Sequence, residues 1–524
     1  MSDYYRLVKP ALNKLSELTV WDSLFVIRQY ACYYIDNQMI QAPRFETIEK
    51  YGSSPIPLYF VDFLIDATVK YSNLNSIKDC SNFSADYKSL RQLKMRRKIM
   101  QILLNAYDYA NKKSIETELS PWLKAYIFSQ QKMQHYDIFT NRAIKYHELY
   151  GSKSISKRVQ DILKMDISEY FKLVLLFFKY FSDSFLSPKE KFISYLAGKS
   201  DQERQNVMRV LGLLCIDIKE LKSEIKIDFS EKMFLQQNDT QHINKPIFEY
   251  EDVLCCPVPV YILNKAIEGL QYHLNLSNDS KIKHEFASNL ETYVGHQLEY
   301  HSKTPKYKYI KEFSYNKNQN KTSDWLLYDE KCIVFLDCKL KKLPIISIKE
   351  LSIDRKGVEG FLTKEHLLNR EKREEDLKKI DNPLEKDIIQ LGVDLGKILC
   401  CYCDWKAGKL SKEIPYDKSL VVNAIILTLE DTYCGAFEMK ELIDLIAIEY
   451  VKAKKNEVID LSEIKTKVIS SINFDDSIPY IERDGLYKHI VEDNLAIDDN
   501  DYLRNRYLQE EFEKFLGSWQ EGVS

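Results

Sequence analysis

Glycine and proline are scarce, with 15 and 14 in 524 residues, which argues against long linkers and against disorder. Long uncharged apolar runs are missing too. The most apolar stretch, from Tyr170 to Phe185, is interrupted by Lys172, Lys179 and Asp183, so no membrane span is expected. The opening MSDYYRLVKPALNKL has no basic segment followed by an apolar one, so no secretory signal is expected. Net charge of either sign is nearly absent, at −3 with a pI near 6.4. That weighs against a protein that coats nucleic acid non-specifically, but not against an enzyme that meets it in one local cleft. The eleven cysteines are odd in number and the chain is large, so a disulfide framework is not expected and a reducing cytoplasm is. Neither a Gly-x-x-x-x-Gly-Lys loop nor a Gly-x-Ser-x-Gly elbow occurs, so this chain is not expected to drive ATP-powered translocation.

What is present is a balance of 45% hydrophobic and 29% charged residues, typical of well-packed globular chains, over a length that suits two or three domains. Residues 1–225 read as helices almost throughout. VWDSLFVIRQYACYYI and EYFKLVLLFFKYFSDSF space their apolar residues by three and four, and Ser120-Pro121, Ser187-Pro188 and Ser200-Asp201 look like helix starts. Residues 226–260 turn to short extended pieces and carry Pro257 and Pro259, which suggests a linker or boundary. From 261 to 436 a helix-like segment, HEFASNLETYVGHQL, precedes the strand-like runs YIKEFSY, DWLLY and CIVFLD. A charged stretch, the apolar helix KDIIQLGVDLGKILCCY and the strand LVVNAIILTLE follow. This order predicts an α/β core, a mixed sheet flanked by helices. Residues 437–524 read as a helical C-terminal region. The expected architecture is therefore an α/β core between a large all-α N-terminal domain and a helical C-terminal region.

The chemistry concentrates in SDWLLYDEKCIVFLDCK, residues 323–339. Two strand-like runs flank the polar turn Asp329-Glu330-Lys331, and a regular hairpin about that turn sets Asp324 opposite Asp337. Directly opposed side chains share a face about 4.5–5.5 Å apart at Cβ. Alternation puts Lys339 on the face of Asp337 and turns Cys338 away. Two carboxylates that close repel unless a cation lies between them. Hard oxygen ligands at such spacing suit Mg²⁺, with Mn²⁺ as a substitute. Leu326, Ile333 and Phe335 line one face, and Trp325, Val334 and Leu336 the other, as in a covered sheet whose charged end opens into a cleft. Asp-x-Lys alone says little, since it recurs elsewhere in the chain, at Asp86, Asp217, Asp279, Asp376 and Asp404 among other places. Of these, only Asp217 also follows an apolar run, and it has no hairpin partner with a matched aspartate.

The segment resembles the PD-(D/E)XK, or restriction-endonuclease-like, nuclease superfamily. That motif has an Asp opening one strand and Asp/Glu-x-Lys closing the next, here Asp324 and Asp337-Cys338-Lys339. The resemblance covers roughly residues 275–435. It implies a Glu on the preceding helix, for which LETYVGHQL offers Glu291, with Glu285 and Glu299 as competitors. It also implies a Gln on the following helix that contacts the active site or a substrate phosphate, here Gln390. Asp324, Asp337, the Cys338 carbonyl and Glu291 would hold Mg²⁺, and the ion would activate a water and stabilise charge on phosphorus. Lys339 would orient or deprotonate that water. A charged insertion over 343–380 departs from the family pattern and leaves the cleft shape open.

The function so implied is Mg²⁺-dependent phosphodiester hydrolysis. The partner is nucleic acid, with DNA favoured over RNA, in the manner of bacterial restriction or anti-phage defence effectors that carry extra helical domains. A homo-oligomer or a partner subunit is compatible with such a layout. The rivals are a catalytically silent scaffold of the same fold and an RNA-directed nuclease. Lys341 and Lys342 continue from the motif and are expected to touch backbone phosphate. Six basic residues between Lys88 and Lys98 suit a phosphate contact or a solvated helix face. Cys400, Cys401 and Cys403 lack the partners of a closed metal site and are expected to be buried helix cysteines. His273, His284, His296 and His301 show no metal-ligand spacing.

Overall fold

The computed structural model describes residues 3–31, 58–74, 98–99, 102–103, 136–197, 200–227, 241–270, 280–302, 306–317, 320–340, 354–410, 412–430, 438–491 and 505–521. The chain is a mixed helix-and-sheet protein that divides into two compact units, Met1–Asp279 and Ser280–Ser524. No helix among the described residues is long and apolar enough to cross a membrane.

In the first unit the apolar spacing makes helices as expected. The helix Ile167–Asp183 starts where the Asp166 carboxylate accepts the Glu169 N–H at 2.8 Å, and it buries Tyr170, Phe171, Val174, Phe177, Phe178 and Phe181 along one side. Ser200 caps the helix Asp201–Leu214, whereas Ser187 lies in a strand and Pro188 precedes the helix Lys189–Leu196. Ser120-Pro121 lies outside the described residues. The unit is not all-α. Strands β1 (Leu186–Pro188), β2 (Cys215–Asp217), β3 (Ile247–Tyr250) and β4 (Val253–Cys255) form a sheet in the order β1-β4-β3-β2. Residues 226–260 are thus no simple linker, because their extended pieces pair with segments that helical periodicity hid. Strands of three or four residues are too short to announce themselves against flanking helices. The described residues 261–270 fall within this first unit.

A closed cluster of charge lies inside this unit. His242 is clamped between two aspartates of the helix Leu58–Tyr71, with Nε2 at 2.9 Å from Asp62 and Nδ1 at 3.0 Å from Asp66. The Tyr261 hydroxyl donates to Asp62 at 2.6 Å, and all four side chains are buried. Burial pushes His242 down, but the two carboxylates outweigh it and lift the imidazole to about 9.

The second unit is built on a five-stranded mixed sheet. Strands β5 (Lys308–Lys311), β8 (Trp325–Tyr328) and β9 (Cys332–Lys339) are antiparallel in turn. Strands β10 (Val421–Thr428) and β11 (Ile464–Ser470) continue it in parallel, in the order β11-β10-β9-β8-β5. A small ribbon of β6 (Ser314–Tyr315) and β7 (Asn320–Lys321) stands beside it. The helix Pro383–Lys406 joins β9 to β10. Its Ile388, Leu391, Leu395 and Leu399 share one core with Leu326, Ile333, Phe335, Ala424 and Ile426 of the sheet, and with Ile443 and Ile446 of the helix Glu438–Lys455. A Cβ on Gly392 would meet Ile446 at 2.6 Å, so these two helices approach more closely than a side chain would allow. The C-terminal region is therefore not purely helical: IKTKVIS supplies the edge strand. Its Lys465 and Lys467 blunt the hydrophobic alternation, which is why the pattern did not read as a strand. The charged insertion forms three short helices over its described part, Arg355–Glu359, Lys364–Leu368 and Arg370–Leu377.

Candidate active site

The hairpin forms in the anticipated register. Trp325 pairs with Leu336, Leu326 with Phe335, Leu327 with Val334 and Tyr328 with Ile333, which carries Asp324 to the position facing Asp337. The turn is held by Asp329, whose carboxylate accepts the N–H groups of Lys331 and Cys332 at 2.8 Å each. Alternation leaves Asp337 and Lys339 half-buried and Cys338 buried.

Asp324 is tied to both neighbouring strands. Its carboxylate accepts the Cys338 N–H at 2.6 Å, and its carbonyl accepts the Glu312 N–H at 2.8 Å. Burial, and then the adjacent Asp337 charge, push its carboxyl far above the ordinary aspartate range against the pull of Lys339 and the Cys338 N–H. Lys339 forms an ion pair with Asp337 and donates to the Cys338 carbonyl at 3.2 Å. Burial pushes this ammonium down, but Asp337, Asp394 and Asp324 outweigh it and hold it above the ordinary lysine range.

Glu291 sits on the helix Ser280–His301, one turn before Gly295. A Cβ on Gly295 would lie 2.7 Å from the Trp325 ring, so glycine lets this helix settle on β8 beside Asp324. Burial raises the Glu291 carboxyl; the Lys339 charge opposes this and the Asp337 charge adds to it. Of its competitors, Glu299 is exposed and Glu285 lies nearly two turns earlier on the same helix.

Gln390 stands on the Pro383–Lys406 helix, with its Nε2 on Asp394 at 3.2 and 3.3 Å from the two carboxylate oxygens. Sequence reasoning missed Asp394. It is 3% exposed, takes Lys397 Nζ at 2.7 Å and interacts electrostatically with Lys339. Burial pushes Asp394 up, but Lys397 and Lys339 prevail and keep its carboxyl below the ordinary range. The available signal was its place four residues after Gln390, on the same helix face.

Of the competing motifs, those at Asp217, Asp376 and Asp404 have structural uses, and Asp86 and Asp279 lie outside the described residues. Asp217 caps a helix, accepting the Lys219 N–H at 2.6 Å. Asp376 pairs with Lys372, Lys379 and His366, and Asp404 with Lys409 and Lys455. Cys401 and Cys403 are buried free thiols, and burial pushes both up to about 12. His301 bonds Glu482 and Asn505 at 2.8 and 3.3 Å. Lys341, Lys342, His273 and the basic run before Lys98 lie outside the described residues. Among the described residues, no group of three His, Cys, Asp or Glu side chains is gathered so as to hold a metal ion. The chain matches no family model, no curated protein and no solved structure, so the site rests on its own geometry.

Proposed function

We propose that the second unit is a divalent-metal-dependent nuclease of the PD-(D/E)XK kind, acting on DNA in preference to RNA. The observation that carries this reading is the juxtaposition of Asp324 and Asp337 across a hairpin with Lys339 on Asp337. Oxygen donors of this kind would suit a small hard cation: Asp324, whose carboxyl burial and then the Asp337 charge raise, Asp337 itself and the Cys338 carbonyl, with the Glu291 carboxyl subject to the Lys339 and Asp337 charges. When bound there, Mg²⁺ supplies Lewis-acid stabilisation of a phosphoryl oxygen.

The chain's own groups do the rest. The Cys338 N–H and the β5 side of the sheet hold Asp324 in place, so its carboxylate needs no reorganisation. Lys339, anchored on Asp337 and the Cys338 carbonyl, is a fixed positive charge at the sheet end, suited to offset negative charge developing on a phosphodiester. Gln390 directs its amide N–H toward Asp394, which turns its carbonyl oxygen into the acceptor left for a water or a substrate donor.

A second reading has its own support. Lys339 already neutralises Asp337, and the Cys338 N–H already satisfies Asp324, as in a silent scaffold that needs no cation. Plasmid DNA, single-stranded DNA and labelled RNA, each incubated with wild type and Asp337→Ala in Mg²⁺ or EDTA, separate the readings. Cleavage by wild type in Mg²⁺ alone supports the nuclease. Equal, uncut substrate in every arm supports the scaffold, and cleavage confined to RNA replaces the DNA preference.

A further inference from the structure

Strand β5 and the two residues before it read KYKYIK, residues 306–311, with three lysines and no acid. Tyr307 is buried and Tyr309 and Ile310 are half-buried, while Lys306, Lys308 and Lys311 are exposed. β5 is the outermost strand of the five and pairs with β8 alone among the described residues. The pairing is antiparallel, with Lys308 opposite Tyr328 and Lys311 opposite Trp325. The lysines therefore run from the turn of the hairpin toward the sheet end that holds Asp324. Contact there is direct, since the next residue, Glu312, donates its N–H to the Asp324 carbonyl at 2.8 Å.

These cations are not neutralised. None of the three has a carboxylate within ion-pair distance among the described residues, and the nearest acid in sequence, Glu312, is taken by Lys321 Nζ at 2.9 Å. Lys311 reaches over the Trp325 ring, with Nζ 6.0 Å from its centroid. That contact rests the aliphatic stem on an aromatic face and leaves the positive charge in place. Lys308 and Lys311 stand about 10 Å apart along an extended strand and leave opposite faces, so they flank the outer margin of β5. Cations spread over that length suit a chain of repeating charge better than one small anion.

We propose that Lys306, Lys308 and Lys311 form a track for the phosphate backbone of a DNA strand, running along β5 to the sheet end at Asp324. Its role in guiding substrate rests on the nuclease reading, whereas binding along it does not depend on cleavage.

The test uses the full chain with fluorescein-labelled duplex and single-stranded DNA in Ca²⁺, read by fluorescence anisotropy across a salt series. Lys308→Gln with Lys311→Gln weakens binding by roughly tenfold or more and lowers the slope of log K against log salt by about two. Lys412→Gln with Lys418→Gln removes the same charge from exposed positions before β10 and leaves both quantities unchanged. Arginine at 308 and 311 keeps the charge and the binding, and circular-dichroism melts like that of wild type show that the variants fold. Unaltered affinity and slope in the Lys308/Lys311 glutamine variant overturn the track, as do an equal loss in the control pair or wild type that binds neither DNA. Poly-glutamate that displaces the DNA at equal charge assigns the lysines to an acidic protein partner instead. Cleavage in Mg²⁺, measured alongside, separates the track from the nuclease. Salt-sensitive binding lost in the variant, with no cleavage by wild type, keeps the track and removes the nuclease. Wild-type cleavage with an unaltered slope does the reverse.

Discussion

The Cβ position of Gly295 lies 2.7 Å from the Trp325 ring. The helix that carries Glu291 is therefore seated on the strand that follows Asp324 with no room for a side chain between them. Gly295→Val forces these elements apart and is expected to cost about 1–3 kcal/mol, the range for overpacking a filled interior. Urea denaturation checks this. A variant as stable as wild type would show that the helix does not depend on that contact.

Metal binding can be read without any substrate. If Asp324, Asp337 and the Cys338 carbonyl share a cation, Mn²⁺ raises the melting temperature of wild type. The stabilisation is about 2.7 kcal/mol at a hundredfold excess over Kd. Asp337→Ala, which removes one carboxylate and frees Lys339, abolishes the Mn²⁺-dependent rise. Parallel shifts in both proteins would place the ion elsewhere.

In the first unit, His242 is the bond between two buried aspartates. His242→Gln leaves Asp62 and Asp66 without their counter-charge, and about 3–5 kcal/mol of that unit's stability is lost. The pH dependence follows from the imidazole being raised from 6.5 to about 9 by its partners. The contribution is complete below pH ~6.5, where the unfolded histidine is protonated too, and disappears as pH rises toward about 9. Thermal melts from pH 6 to about 9.5 should fall more steeply for wild type than for His242→Gln. Parallel curves would contradict the clamp.

Asp475 joins three helices of the second unit. It accepts the Tyr293 hydroxyl at 2.7 Å and Gln297 Nε2 at 3.2 Å, and its carbonyl accepts Asn505 Nδ2 at 2.9 Å. Asp475→Ala leaves buried donors unmet and is expected to destabilise the unit by about 1–3 kcal/mol. The amides of the helices Ser280–His301 and Ser471–Asp484 should then exchange hydrogen faster than those of β9 and β10. Uniform exchange across the unit would argue against a local fastening.

The hairpin was legible because its information is local. A polar turn and period-two alternation decide which residues face each other, so Asp324, Asp337 and Lys339 could be placed from seventeen consecutive residues, 323–339. Glu291 and Gln390 followed from the resemblance, and the helices around them from apolar spacing. The lysine-bearing edge strand β11 and the short strands of the first unit escaped, since each is defined by a partner far along the chain and not by its own pattern.

By itself the sequence determined the order of helices and strands from the helix Ser280–His301 to β10 and the side on which each hairpin residue stands, because steric alternation acts between neighbours. Only the tertiary structure decided that Asp394 answers Lys339. It also decided that His242 rests between two aspartates of another helix. Those relations depend on packing distance and on burial, which weakens solvent screening, and no run of adjacent residues encodes either.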